Sequence, residues 1–511
     1  MPESLSIVDL CVLVAYLAGV VGLGCALARK NRSTDAFMVA GGSLPGWVVG
    51  LSIFGTYVSS ISFLANPGKS YEANWNPFVF SLSLPLAAWI AVRFFVPFFR
   101  RQGVISAYTH LEHRFGLWAR TYAVVCFLLM HLARVAAILY LVALAVTPLV
   151  GWDVSTIIVA TGILVTIYTL LGGIEAVIWT DVVQSVVLTV GMCVSVGVIL
   201  WQIPGGPVEV FEIASRDHKF SLGSFGSSLA ESTFWVVLFY GLFINLQNFA
   251  IDQAYVQRYV AAESEAAARN SVWLGALLYL PISAILFFVG TALYAYYQVQ
   301  PELLAGGPID PMPADSVFPH FIASQLPIGV SGLLVAAVLA AAMSSVDSSL
   351  NCSATLLLCD VYKRYFRPTA SEKESMKVLY VMTLVFGIAG TGTGLWIMKL
   401  SATTNVLDVW WKLAGIASGG LLGLFLLGRL SERIRGAHAA IAVVAGVTVI
   451  LWMSFSPTEI WPQALAQLRS PFHGFLTIVF GTLVILVVGA AAAWIAPADT
   501  ARGQNAESTQ N

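Results

Sequence analysis

The chain has 511 residues, of which 58% are hydrophobic and only 10% charged, and its mean hydropathy is +0.82. That balance excludes a soluble globular domain and describes a polytopic membrane protein, with the lipid bilayer as its first partner. A formal net charge of -1 leaves no electrostatic case for a nucleic-acid partner.

The N-terminus opens with Glu3 and Asp9 and lacks a basic n-region, so the first apolar stretch reads as a membrane span and not as a secretory signal. Hydropathy then predicts about thirteen spans, at 7–28, 44–64, 76–98, 121–149, 154–171, 176–202, 235–251, 272–297, 328–358, 378–399, 408–427, 438–455 and 475–495. Basic residues collect in alternate loops: Arg29, Lys30 and Arg32; Arg100, Arg101, Arg114 and Arg120; Arg258 and Arg269; Lys363, Arg364, Arg367, Lys373 and Lys377; Arg429, Arg433 and Arg435. The opposite loops hold chiefly Arg216, Lys219 and Arg469, which predicts an external N-terminus and a cytoplasmic C-terminal tail in a cell (inner) membrane protein. The six cysteines lie in or beside apolar spans without CxxC spacing, and read as packing residues.

One peripheral span, within 1–30, precedes two blocks of five, 44–202 and 235–427; two more spans follow at 438–495, then a short tail at 496–511. Five is odd, so the second block enters the membrane inverted. Such a pair places a binding site at the midplane, between helices that are locally unwound. Each block opens on an irregular span: Gly55, Asn66, Pro67 and Gly68 in the first, Gly241, Asn245, Gln247 and Asn248 in the second.

The ninth span holds the densest polar group, AAAMSSVDSSLNCS at 340–353. At helical spacing Ala341, Ser344, Ser345 and Ser348 share one face, with Asp347 and Asn351 on the adjoining stripe. Small hydroxylated residues also serve helix packing in membranes. An aspartate at mid-helix costs about 2.5–3.5 kcal/mol to insert, which marks Asp347 as a functional candidate. Arg134 lies well inside the fourth span with His131 on the same face, a lone histidine that reads more readily as a packed core residue.

The segments GGIEAVIWTDVVQ (172–184), AAAMSSVDSSLN (340–351), NFAIDQAYVQR (248–258), and GSLPGW followed by LANPGKSY resemble the sodium/solute symporter family of sugar, proline, sialic acid and monocarboxylate carriers. The resemblance runs from the first span to about the eleventh. It implies an all-α LeuT-type fold, a 5+5 inverted repeat with one extra N-terminal and two extra C-terminal helices, and Na+ as coupling ion with no organic cofactor. Its first sodium site maps onto Gly55, Val58, Ala341, Ser344 and Ser345. Their hydroxyl and carbonyl oxygens are hard, neutral donors suited to a hard cation. A second site, present in some members, maps onto Asp181, Ser344, Asp347 and Ser348, although the family more often carries a hydroxyl where Asp347 stands. That carboxylate could strengthen cation binding or accept a proton. For Asp181 the alternative is an acid at a helix start. Glu175 and Asp252 read as solvated charges near the cytoplasmic boundary.

The resemblance places solute contacts at Tyr57, Ser59, Ser62 and Ser81, with Asn245 and Asn248 as further candidates for the same cavity. The RVAAILYL stretch after Arg134 resembles the sialic acid carriers, where an arginine holds the substrate carboxylate; its planar fork suits that partner. Ser81 is shorter than the amide those carriers have at its place.

The sequence therefore predicts a sodium-coupled importer of a small organic solute, a carboxylate such as sialic acid or a smaller acid, with a sugar or proline-like substrate as the alternative. A channel lacks its filter-like loop, an intramembrane enzyme its HExxH or GxSxG motif, and a transporter-like sensor a signalling module. No obligate protein partner is evident.

Overall fold

The computed structural model describes residues 6–28, 33–304, 312–400, 413–459 and 461–495. Among them the chain is helical throughout its membrane part. The helices used below are α1 (Ile7–Ala28), α2 (Gly46–Tyr57), α3 (Ile61–Glu72), α4 (Asn76–Gln102), α5 (Leu117–Val150), α6 (Val154–Gln202), α7 (Phe234–Ile251), α8 (Gln253–Ala261), α9 (Glu265–Val299), α10 (Val330–Phe366), α11 (Glu372–Leu400), α12 (Leu421–Leu430), α13 (Gly436–Phe455) and α14 (Gly474–Ile495).

Ten of these helices are long and apolar enough to cross a bilayer, or eleven when the bent pair α2 and α3 counts as one span. The expected thirteen are thus not reproduced among the described residues, for two reasons. The spans predicted at 154–171 and 176–202 run together as the 49-residue α6, broken at Gly173 (φ 58°, ψ −160°). At 1.5 Å per residue α6 would be about 73 Å long, more than twice a hydrocarbon core of about 30 Å, so this glycine is where the chain reverses. The span predicted at 408–427 lies partly outside the described residues, as do Arg29, Lys30, Arg32 and the tail at 496–511.

Helix starts follow the local chemistry. Asp153 caps α6 by accepting from the Thr156 amide at 3.0 Å, and Ser264 caps α9 by accepting from the Ala267 amide at 3.1 Å. At the centre stands α10, with 89% of its apolar window buried, so its serines face protein and not lipid. Its N-terminus is closed by the peripheral α1: Asp9 Oδ1 accepts from the Gly329 and Gly332 amides, both at 2.8 Å. A carboxylate suits that end of a helix dipole. A Cβ on Gly332 would stand 2.5 Å from the Asp9 carbonyl oxygen, so the close approach requires glycine.

Both predicted irregular spans are broken. Between α2 and α3 the axis bends by 58°, and Val58 leaves the helix in extended conformation (φ −81°, ψ 107°). Between α7 and α8 the break is at Asp252 (φ −70°, ψ 128°). Each break frees carbonyls before it and amides after it, which is tolerable inside a membrane only where other groups satisfy them.

Candidate functional site

The break at Val58 faces the serines of α10. Ser344 Oγ donates to the Gly55 carbonyl at 2.9 Å and also lies 3.3 Å from the Ala341 carbonyl. Ser345 Oγ donates to the Thr56 carbonyl at 3.3 Å. Four of the five expected sodium-site residues thus adjoin the end of α2, and Val58 is the residue at which that helix stops. The hydroxyls fit a bare cation well: each needs only to turn its hydrogen away for its lone pairs to join the carbonyls.

Behind this group lies a closed charge network. Asp181, in the first third of α6 beyond the Gly173 break, is fully buried, and its Oδ2 accepts from Arg258 Nη2 at 2.8 Å and from Ser52 Oγ at 2.5 Å. Arg258 also donates to Ser348 Oγ at 2.7 Å and, through Nε, to Ser52 Oγ at 2.7 Å. Ser348 is linked in turn to Thr56 Oγ1 at 3.1 Å. Asp347 turns toward α6, where its Oδ2 accepts from the Tyr168 hydroxyl at 2.7 Å while its Oδ1 accepts from the Ser348 amide at 2.6 Å. Asp181 Oδ1 and both amide atoms of Gln184 are buried without a hydrogen-bond partner. Arg258 corrects the sequence reading: it is no loop charge but a buried residue of α8, held there because its guanidinium answers Asp181.

A cavity opens beside the two helix breaks. Tyr57, Ser59, Ser62, Ser81, Arg134 and Asn248 all stand on its wall, together with Asn66, Gln247, Tyr255, Tyr279 and Asp252. Arg134 is half-buried, and its Nη2 donates to the Thr56 carbonyl at 2.7 Å, the same oxygen that Ser345 reaches. Ser81 Oγ shares a hydrogen bond with Ser283 Oγ at 2.8 Å. The Tyr57 ring stacks on Phe249 and meets Tyr279 edge-on at 4.5 Å.

Asn245 is the exception among the expected solute contacts. It accepts from the Tyr57 hydroxyl and donates to the Phe80 carbonyl at 3.2 Å and Ser83 Oγ at 2.9 Å, and it is not part of the cavity wall. Its amide is spent joining α7 to α4 and fixing the Tyr57 ring. Asp252 departs from expectation in the other direction. It is buried, not solvated, because it is the residue at the α7–α8 break; Oδ1 accepts from the Ala254 amide at 2.8 Å and Oδ2 lies 3.2 Å from His131 Nε2. His131 is a packed core residue, stacked on Phe127 and 3.0 Å from Ser349 Oγ. Glu175 is half-buried.

The model of the sodium:solute symporter family matches residues 37–446, a stretch that holds both broken helices, the serine face of α10 and the cavity. The chain belongs to this family. Among its relatives, the sodium/sialic acid symporter NanT of Aliivibrio fischeri is 34% identical over 492 residues, covering 95% of this chain and 93% of the relative. The sodium/sialic acid symporter SiaT of Proteus mirabilis is 33% identical, covering 99% and 98%. Human sodium-coupled monocarboxylate transporter 1 is 28% identical, covering 89% and 74%. In three dimensions this sodium:solute symporter is similar to a Na+-coupled sialic acid symporter solved in a substrate-bound outward-open state. Their TM-score is 0.88 at 32% identity, over 96% of this chain and 98% of the other. The fold is also shared with Mhp1, a nucleobase-cation-symport-1 family transporter (TM-score 0.55, 16% identity, 91% and 94% covered).

Proposed function

We propose that this sodium:solute symporter imports a small organic acid of the sialic acid class, driven by sodium, across a cell membrane in which its N-terminus is external and its C-terminus cytoplasmic. The observation that carries the reading is one oxygen. The Thr56 carbonyl accepts from Arg134 on the cavity wall and from Ser345 in the serine group, so solute and ion sites share a ligand-bearing backbone. A sodium ion on Gly55, Val58, Ala341, Ser344 and Ser345 draws the Ser345 hydroxyl out of that bond and leaves Thr56 to Arg134 alone. The guanidinium is then fixed with its remaining N–H groups available to a carboxylate.

The solute is assigned to Tyr57, Ser59, Ser62, Ser81, Arg134 and Asn248. The sialic acid symporters among the relatives favour an acidic sugar. A smaller monocarboxylate is the second reading, favoured by Ser81, a short side chain on the cavity wall that shares its hydrogen bond with Ser283. The 5+5 inverted repeat, 44–202 and 235–427, is supported by the matching breaks at the head of each block.

A second cation belongs between Asp181, Ser344, Asp347 and Ser348. With both buried carboxylates ionised against the single Arg258, one negative charge is uncompensated in a water-poor interior, and either a further sodium ion or a proton on Asp347 cancels it. Each tenfold sodium gradient supplies about 1.4 kcal/mol, and each net positive charge moved inward adds about 2.3 kcal/mol per 100 mV. Two sodium ions with one monoanion are therefore driven by voltage as well as by concentration.

The test is uptake into proteoliposomes of the purified chain under an inward sodium gradient, with N-acetylneuraminate, butanoate, glucose and proline as solutes. Uptake of N-acetylneuraminate with a sodium Hill coefficient above one, falling toward one in Asp347→Asn, supports the reading. Uptake of glucose or proline alone rejects the acid class, and uptake indifferent to sodium rejects the mechanism.

A further inference from the structure

Among the described residues of the cavity wall only two are formally charged, Arg134 and Asp252. We propose that Asp252 is a specificity-determining contact, the second polar anchor of the solute, accepting hydrogen bonds from its hydroxyl or amide groups while Arg134 holds its carboxylate. The inference rests on the reading of the solute as a carboxylate.

Asp252 has a structural duty as the cap of α8, since its Oδ1 accepts from the Ala254 amide at 2.8 Å. That duty alone does not call for a charge. Serine, threonine or asparagine caps a helix comparably, and a buried carboxylate is penalised where a neutral cap is not. A carboxylate offers about four acceptor positions, and the Ala254 amide and His131 occupy one each. The rest have no protein donor among the described residues, and Asp252 is one of the cavity walls.

Its orientation is set from behind by a chain of short contacts. Asp252 Oδ2 lies 3.2 Å from His131 Nε2, His131 Nδ1 lies 3.0 Å from Ser349 Oγ, and Ser349 Oγ lies 2.8 Å from the Ser345 carbonyl. An ionised Asp252 can only accept, so Nε2 carries the hydrogen; the single hydrogen of the Ser349 hydroxyl goes either to the Ser345 carbonyl or to His131 Nδ1. His131 and Arg134 share a face of α5, and Arg134 returns to Ser345 through the Thr56 carbonyl. The two anchors are thus set by one helix face and tied to one serine of the sodium group. His131 is a positioning residue. A cavity with a guanidinium and a carboxylate selects a hydroxylated acid over a plain one, because an unsubstituted acid leaves Asp252 without the donors it would exchange for water.

The experiment is isothermal titration of the purified full chain in saturating sodium with N-acetylneuraminate and with butanoate, on wild type, Asp252→Asn, His131→Leu, His131→Gln and Arg134→Lys. Thermal unfolding with and without sodium is measured on each. Asn keeps the cap on α8, so the expected result is a loss of affinity of at least tenfold with unchanged unfolding temperature and unchanged stabilisation by sodium alone. His131→Leu follows Asp252→Asn, and His131→Gln, whose amide still donates to Asp252, recovers most of the affinity. Unchanged affinity in Asp252→Asn, or affinity lost only together with stability, overturns the inference and leaves Asp252 as a helix cap. If wild type binds neither N-acetylneuraminate nor butanoate, the carboxylate reading falls with it; binding in wild type that is lost in Arg134→Lys but kept in Asp252→Asn removes this inference alone.

Discussion

Arg258 and Asp181 form a fully enclosed ion pair, 2.8 Å apart, that joins the inner half of one broken helix to the scaffold of α6. Removing one member leaves the other charged and buried, which typically costs about 3–5 kcal/mol, whereas removing both together costs far less. Arg258→Met and Asp181→Asn are each expected to lower the unfolding temperature markedly in detergent. The double variant is expected to recover a large part of the loss. Additive losses in the double variant reject the pairing as a stability determinant.

Ser345 is the hydroxyl that reaches the carbonyl shared with Arg134. Ser345→Ala removes one of the oxygens assigned to the proposed sodium site. The sodium concentration for half-maximal uptake is expected to rise severalfold or more, with the maximal rate less affected. Sodium activation that superimposes on wild type excludes Ser345 from the site.

Much of this arrangement is legible in the sequence because polarity inside an apolar run has few explanations. The serines and Asp347 stand out in α10, and Gly55, Asn66 and Pro67 announce the first helix break. The second break is harder to read. The half-helix α8, QAYVQRYVA, is short and polar, so hydropathy assigns it to a loop, and Arg258 beside Arg269 reads as a cytoplasmic cluster. Tertiary packing buries it, since Asp181 on α6 supplies a partner no local pattern can reveal. A usable signal was present: Asp252 and Arg258 enclose the aromatic Tyr255 and flank a segment too rich in Tyr and Val for a solvated loop. Asn245 erred the other way, because nothing in its spacing tells a satisfied interhelical amide from a solute contact.

Arg134→Lys keeps the positive charge on the cavity wall and can still reach the Thr56 carbonyl, but a compact ammonium lacks the fork that grips a carboxylate at two points. Solute affinity is expected to fall at least tenfold, about 1.4 kcal/mol, while stabilisation by sodium without solute changes little. Loss of sodium binding with solute affinity spared would assign Arg134 to the scaffold of the α2 end instead.

Lys219 lies between the spans α6 and α7 and closes over the end of α3. Its Nζ donates to the Tyr71 carbonyl at 2.7 Å and the Ala73 carbonyl at 3.0 Å and sits 3.7 Å above the Tyr294 ring. A cation at the C-terminal end of a half-helix is favourable, yet burial pushes the amine down to about 8 from an ordinary value near 10.5. The unfolded chain therefore holds this proton more tightly than the folded one. Between pH 8 and 10.5 the folded state is relieved of a buried charge that the unfolded state still carries in water, so the contribution of Lys219 to stability grows as pH rises through that window and is constant below it. Lys219→Met removes the titration. The difference in unfolding temperature, wild type minus variant, is expected to be flat from pH 6 to 7 and to increase from pH 8 to 10. A difference that stays flat shows that the amine keeps its ordinary affinity for the proton, and one that decreases shows that the folded chain holds the proton more tightly than the unfolded one; either rejects the lowered proton affinity.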